Sequence, residues 1–139
     1  MELSESISIA APIERVWSVM IDVERWPEWS ASIDRVQKLS DGDLAVGSRV
    51  AIKQPRLPRA VWQVTELEPG RSFTWASRGP GIRTVAAHRL AVNVSGGTDV
   101  TLSLRSSGPA AWLLGWWLGK ISRLYVRYEA EGLKRRCEE

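Results

Sequence analysis

His88 is the only histidine of the chain and Cys137 the only cysteine, so the chemistry open to it is narrow. An imidazole can orient a hydroxyl or carbonyl, or pass a proton as general acid or base, and the second role needs a neighbouring acid to fix its tautomer. A serine triad would need such an acid and a poised nucleophile, and no Gly-x-Ser-x-Gly elbow occurs. Metal ligation fails as well, because one His, one Cys and scattered carboxylates form no ligand set of familiar spacing. Gly79-Pro80-Gly81 lacks the third glycine of a dinucleotide loop and runs into a strand-like segment, so it reads as a hairpin turn. No cofactor is expected. Aromatic surface is abundant instead: eight Trp stand beside one Phe and two Tyr, the material of a core, a pocket or an interface.

The elements that must position these groups follow from periodicity. Leu3, Ile7 and Ile9 alternate with Ser4, Ser6 and Ser8, the mark of a half-buried strand over 3–10. Pro12 suits a first helical position, and Ile13, Val16, Trp17 and Met20 form one helical stripe. Pro27, inside Asp22–Ser30, starts a new turn or second short helix. Strand-like runs then recur at about 34–39, 47–54, 60–67, 72–78, 82–94 and 98–106, separated by Gly-, Pro- and Asp-rich turns at antiparallel meander spacing. From Pro109 to about Arg136 the period is helical again, a run about 42 Å long if unbroken. The order predicts one α+β domain over residues 1–139, a seven-stranded curved antiparallel sheet whose apolar face only the C-terminal helix is long enough to cover.

The 139 residues carry 44% hydrophobic and 25% charged side chains, which excludes a disordered chain or a fibre. A net charge of +3 is too small to demand a polyanion, so no nucleic-acid partner is expected. A single Cys forms no internal disulfide and fits a reducing cytoplasm. The N-terminus lacks a basic region followed by a long apolar one, and the apolar run 110–119 is too short for a membrane span.

Within that frame the chain resembles a known group. Ile9-Ala-Ala-Pro-Ile-Glu-Arg-Val-Trp17, Asp22 through Trp26-Pro-Glu-Trp29, Val64-Thr-Glu-Leu-Glu-Pro-Gly70 before a Trp-bearing strand, Gly96-Gly-Thr98, Gly108-Pro109 and Leu133-Lys134 are together similar to the START-like (SRPBCC) superfamily, polyketide cyclase/dehydrase branch. The resemblance covers nearly the whole chain and implies the helix-grip (START/Bet v 1-like) fold, with two short helices after strand one. For function it implies little, because this superfamily hosts lipid carriers, receptors, aromatase/cyclases and co-chaperones.

Strand phase turns the fold into a list of walls. Ile82, Thr84, Ala86, His88, Leu90, Val92 and Val94 are expected to face inward from the sixth strand. Val50, Ile52 and Gln54 join them from the third, Phe73 and Trp75 from the fifth, and Val100, Leu102 and Leu104 from the seventh. Trp26 and Trp29 complete the wall. The fourth strand has no single phase, so Trp62 faces either the cavity or the convex side. A helical wheel gathers Leu113, Leu114, Trp117, Leu118, Ile121, Leu124, Tyr125 and Tyr128 on the gripped face. The candidate ligand site is therefore Trp26, Trp29, Val50, Ile52, Gln54, Phe73, Trp75, Thr84, Ala86, His88, Leu90, Leu102, Trp117, Ile121, Leu124 and Tyr128, with core packing as the competing reading of the aromatics. His88 is either a satisfied core residue or a catalytic candidate; no inward acid is expected beside it.

The same wheel places Trp112 and Trp116 outside the gripped face, beside Lys120, Arg123, Arg127 and Lys134. Two readings remain: a docking face for a membrane or a protein, or Trp rings tucked under the loop entering the helix beside solvated cations. Gly115 and Gly119, each costing about 1 kcal/mol in a helix interior, either loosen residues 109–119 as a gate or permit close packing. The loop Lys53–Arg59 flanks the same entrance or is a stiff solvated turn.

The leading expectation is a carrier for a small, mainly apolar molecule such as a lipid, isoprenoid or polyketide-like aromatic. An aromatase/cyclase comes second, with His88 moving protons and Tyr128 or Gln54 holding a carbonyl. A protein-interaction module using the basic Trp face comes third.

Overall fold

The computed structural model describes residues 1–139. Strands β1 (Glu2–Ile9), β2 (Arg35–Lys38), β3 (Arg49–Lys53), β4 (Ala60–Glu68), β5 (Ser72–Gly79), β6 (Ile82–Val92) and β7 (Thr98–Ser107) form one sheet in the order β1-β7-β6-β5-β4-β3-β2. Every pairing is antiparallel. Helix α1 (Ile13–Ile21) and a 3-10 segment (Val23–Glu28) follow β1, and the chain ends in α2 (Pro109–Leu113) and α3 (Gly115–Cys137). This is the helix-grip arrangement, with the strands where the turn signals place them.

Three local expectations are corrected. Pro12 is the N-cap of α1, with extended backbone (φ −67°, ψ 154°), and its carbonyl accepts from the Arg15 and Val16 amides. The turn after α1 begins at Val23 and carries Pro27 inside it. Val92 and Val94 are exposed: Val92 is the last residue of β6 and Val94 lies in the turn beyond it, where strand alternation no longer sets the facing side. The unphased β4 has a physical cause: its register against β5 shifts between Val64 and Glu66. This β-bulge at Thr65 lets Val64 oppose Trp75 and Leu67 oppose Phe73, so both odd and even residues turn inward.

The C-terminal helical run is not continuous. Leu114, at φ −96° and ψ 6°, separates α2 from α3, and α3 spans 23 residues or about 34 Å. Its buried side consists of Ile121, Ser122, Tyr125, Val126, Ala130, Gly132, Leu133 and Cys137, a face rotated from the expected one. Leu113, Leu124 and Tyr128 lie at the surface, 74%, 41% and 36% exposed. A wheel weighted by hydrophobicity misses what small residues do here. A Cβ at Gly132 would lie 1.9 Å from the Trp29 carbonyl oxygen, so the absence of a side chain there sets how closely, and with which face, α3 meets the body.

The end of the molecule where Gly132 meets Trp29 is the closed end, and the core runs from it to the middle of the sheet. Val16, Met20, Val23, Trp26, Phe73, Val100 and Leu133 are all but inaccessible, and the Trp26 indole donates to the Met20 carbonyl at 2.9 Å. Lys134 donates to the Ser8 carbonyl and to Glu138, both at 2.7 Å, while Arg136 meets Glu28 at 2.6 Å. At the opposite end, the Ala110 amide donates to the Gly81 carbonyl at 2.9 Å. Gly108 permits this with φ +103°, and a Cβ there would sit 2.4 Å from the same oxygen.

Candidate functional site

Between the concave sheet and the first half of α3 lies a cavity of about 640 Å³, in the size range of small-molecule sites. Trp26, Trp62 and Trp75 form one wall, and Leu114, Trp117 and Leu118 form the side near the break between α2 and α3. The loop Arg56–Arg59 and the β5–β6 hairpin border the mouth. A second hollow, about 500 Å³, lies at the closed end around Ser8–Pro12 and Asn93–Gly97. It offers mostly backbone and small polar groups, and its one cation, Lys134, is already engaged.

The candidate residues separate into three groups. Trp26, Ile52, Gln54, Trp75, Thr84, Ala86, His88 and Trp117 line the cavity. Trp29, Val50, Phe73, Leu90, Leu102 and Ile121 are buried but stand outside its lining. Leu124 and Tyr128 are at the surface and take no part in the lining, because α3 presents its Tyr125 and Val126 side instead. Trp62, which sequence phase leaves open, lies on the wall with its ring centroid 5.8 Å from that of Trp75.

His88 occupies the deep end. It opposes Phe73 across β5 and β6, and their rings stack at 4.1 Å and 11°. Trp75, perpendicular to it, and Trp26, tilted, stand 5.6 and 5.7 Å from the imidazole, so three aromatic rings confine its plane. The Nδ1 atom lies 3.2 Å from the Phe73 carbonyl oxygen. A carbonyl only accepts, so Nδ1 carries a proton and Nε2 is the ring atom left for other work. Nε2 faces Glu129 Oε1 at 3.8 Å, with the two side chains 4% and 15% exposed.

Glu129 overturns the expectation that no acid stands beside His88. Sequence reasoning misses it because the wheel, rotated from the true buried face, places Glu129 outside the gripped arc. A signal is present nonetheless: Tyr125, Val126, Ala130 and Leu133 surround Glu129 at helical spacing, which marks an acid set into an apolar stripe. The 3.8 Å separation is within ion-pair reach and too long for a direct hydrogen bond. The pair can hold a ligand carbonyl or hydroxyl, or relay a proton to one.

The other polar groups are mostly spent on structure. Gln54 donates to the Ser32 carbonyl at 3.2 Å, and Thr84 shares a hydrogen bond with Ser106 at 3.0 Å. The Tyr125 hydroxyl donates to the Pro55 carbonyl, tying the mouth loop to α3. Burial pushes the Tyr125 phenol up, with Arg56 opposing the shift. Arg56 itself has φ +67°, the only non-glycine residue with positive φ. The cavity thus combines apolar walls with one poised polar pair at its floor.

Comparison with known proteins agrees with this geometry. The chain matches, over residues 1–138, the family described as polyketide cyclase / dehydrase and lipid transport. No curated protein matches it in sequence. Among solved structures it is similar to a hypothetical protein from Helicobacter pylori (TM-score 0.86, 12% identity, covering 99% of this chain and 88% of that one). It is also similar to a START superfamily protein from Mycobacterium smegmatis (TM-score 0.80, 15% identity, 99% and 97% covered). The Zhui aromatase/cyclase from Streptomyces sp. R1128 matches with a TM-score of 0.80 at 15% identity, covering 99% of this chain and 93% of that one. At these identities the neighbours speak for the fold, and the family match over nearly the full length establishes that the chain belongs to the polyketide cyclase/dehydrase and lipid transport family.

Proposed function

We propose that this protein binds and carries a small, mainly apolar molecule, a lipid, isoprenoid or polyketide-like aromatic, in the cavity between its sheet and α3. The observation that carries the reading is the cavity itself: about 640 Å³ walled by Trp26, Trp62, Trp75 and Trp117, where burial of apolar surface contributes about 25 cal/mol per Å². The family's own description includes lipid transport, which supports the reading. The lone buried Cys137 favours a reducing, cytoplasmic setting.

The test is titration with N-phenyl-1-naphthylamine, a neutral apolar probe whose fluorescence rises in a dry pocket and which accepts energy from tryptophan. One saturable site is expected, weakened at least tenfold by Ala86→Phe, which fills the cavity. A signal that fails to saturate, or one indifferent to Ala86→Phe, would count against a cavity ligand.

A second reading is favoured by the His88–Glu129 pair, which gives a cyclase-type reaction the acid–base group it needs. In that reading His88 Nε2 takes a proton from the carbon between two carbonyls of a polyketone, and Glu129 holds the charged ring in place. His88→Ala would then lower turnover about a hundredfold with unchanged affinity, and Glu129→Gln would act in the same direction. Loss of affinity without loss of turnover assigns the pair to binding.

A further inference from the structure

We propose that the mouth end of the molecule docks on a bilayer containing anionic lipids, through Trp112, Leu113 and Trp116 as inserted residues with Lys120 and Arg123 over the headgroups. This goes beyond ligand binding and stands on the surface alone.

Trp112 is 82% and Trp116 80% exposed. The alternative of rings tucked under the loop is therefore ruled out by their positions. The α2 segment is anchored on its opposite side, where Ala111 is buried and the Ala110 amide bonds to Gly81, and this turns Trp112 and Leu113 outward. Such exposures mean that each side chain projects clear of its neighbours. A protein partner would need a complementary socket for every one of these projections. A fluid interface closes around them, and tryptophan is the residue favoured at headgroup depth.

Charge decides the kind of bilayer. Trp116, Lys120, Arg123 and Arg127 follow at helical spacing on the outer side of α3, and Lys120 Nζ lies 5.4 Å from the Trp116 ring centre. Arg56 and Arg59 border the same mouth. Between Glu68 and Glu129 the only acid is Asp99, and it is engaged by Ser8 and Asn93 at the closed end. A ridge of apolar rings rimmed by cations, with no acid between Gly108 and Tyr128, complements anionic headgroups. The ridge is continuous with the cavity lining through Leu114 and Trp117, so docking would face the mouth to the membrane.

The test is co-sedimentation with vesicles of phosphatidylcholine alone and of phosphatidylcholine with about 30% phosphatidylglycerol, at low salt and at about 0.5 M salt, where surface charges are screened within about 4 Å. The expected result is at least tenfold tighter binding to the anionic vesicles, reduced by salt. Trp112→Ser/Trp116→Ser should lose at least tenfold, and Lys120→Gln/Arg123→Gln should lose the preference for the anionic vesicles. Both variants should keep the thermal midpoint and the phenylnaphthylamine affinity, which separates this surface from the cavity. Val94→Ser, an exposed site near the closed end, should change nothing. Equal sedimentation of wild type and the double Trp variant would overturn the proposal. So would a concentration-dependent dimer that disappears in the Trp variant, since it would assign the ridge to a second copy of the chain.

Discussion

A Cβ at Gly132 would lie 1.9 Å from the Trp29 carbonyl oxygen, whereas at Gly115 it would meet nothing within 4 Å. The two glycines lie on one helix at the two ends of the molecule. Around Gly132 the helix is clamped by Lys134 to the Ser8 carbonyl, by Glu138 to the Ala10 amide and by Arg136 to Glu28, over an inaccessible Leu133. Around Gly115 it is interrupted at Leu114 and leaves Trp112, Leu113 and Trp116 in solvent. The difference separates a helix end packed onto backbone from one whose apolar side chains stand in solvent beside the cavity mouth, and low contact of this kind goes with lower local stability.

Substitutions at the two glycines give the largest contrast. Gly132→Val should destabilise by about 3 kcal/mol or more, because backbone and not a flexible side chain occupies the space. Gly115→Ala, at the first residue of α3, should stabilise by about 0.4–1 kcal/mol, chiefly by restricting the unfolded chain. Urea unfolding measures both, and similar effects of either sign would erase the distinction. Leucine truncation sharpens it: Leu133→Ala should cost about 2–5 kcal/mol, and the exposed Leu113 no more than about 0.5 kcal/mol. Amide hydrogen exchange provides the same contrast without mutation. Residues 109–119 are expected to exchange faster than 121–133, and uniform protection would contradict a mobile entrance.

Proton linkage gives a smaller, pH-resolved effect at the closed end. The Arg136 hydrogen bond holds the Glu28 carboxyl below its usual range, the Ser8 hydroxyl and then Asn93 do so for Asp99, and the Ala10 amide and then Lys134 for Glu138. Each lowered group stabilises the fold fully above the ordinary carboxylate range, about pH 4. That contribution is lost as pH falls through the lowered value. The stability gap between wild type and Glu138→Gln should therefore be present at pH 7 and vanish in acid; a gap independent of pH would argue against the linkage. Burial pushes the Cys137 thiol up to about 11, so its reaction with a disulfide reagent at pH 8 should be slow until the chain unfolds.

Much of the architecture is legible in the residues. Turn chemistry and period-two alternation locate all seven strands, since in an antiparallel meander these local signals coincide with the global fold. The cavity lining is most legible on regular strands, as with Trp75, Thr84, Ala86 and His88 on β5 and β6, and less so on α3, where the wheel places Trp117 and misses Glu129. Trp62 escapes because a bulge changes the phase inside β4. Glu129, Leu124 and Tyr128 are misplaced for a different reason: the rotation of α3 is set by a backbone contact at Gly132, a property of two distant segments that no helical wheel contains.

The most direct test of the cavity as a ligand site is gentle native mass spectrometry of the protein purified from its own host, beside the Ala86→Phe variant prepared in the same way. A discrete apolar adduct on the wild type, absent from the variant and released on denaturation, is the expected result. A bare wild-type chain whose tryptophan emission also fails to respond to apolar probes would contradict it.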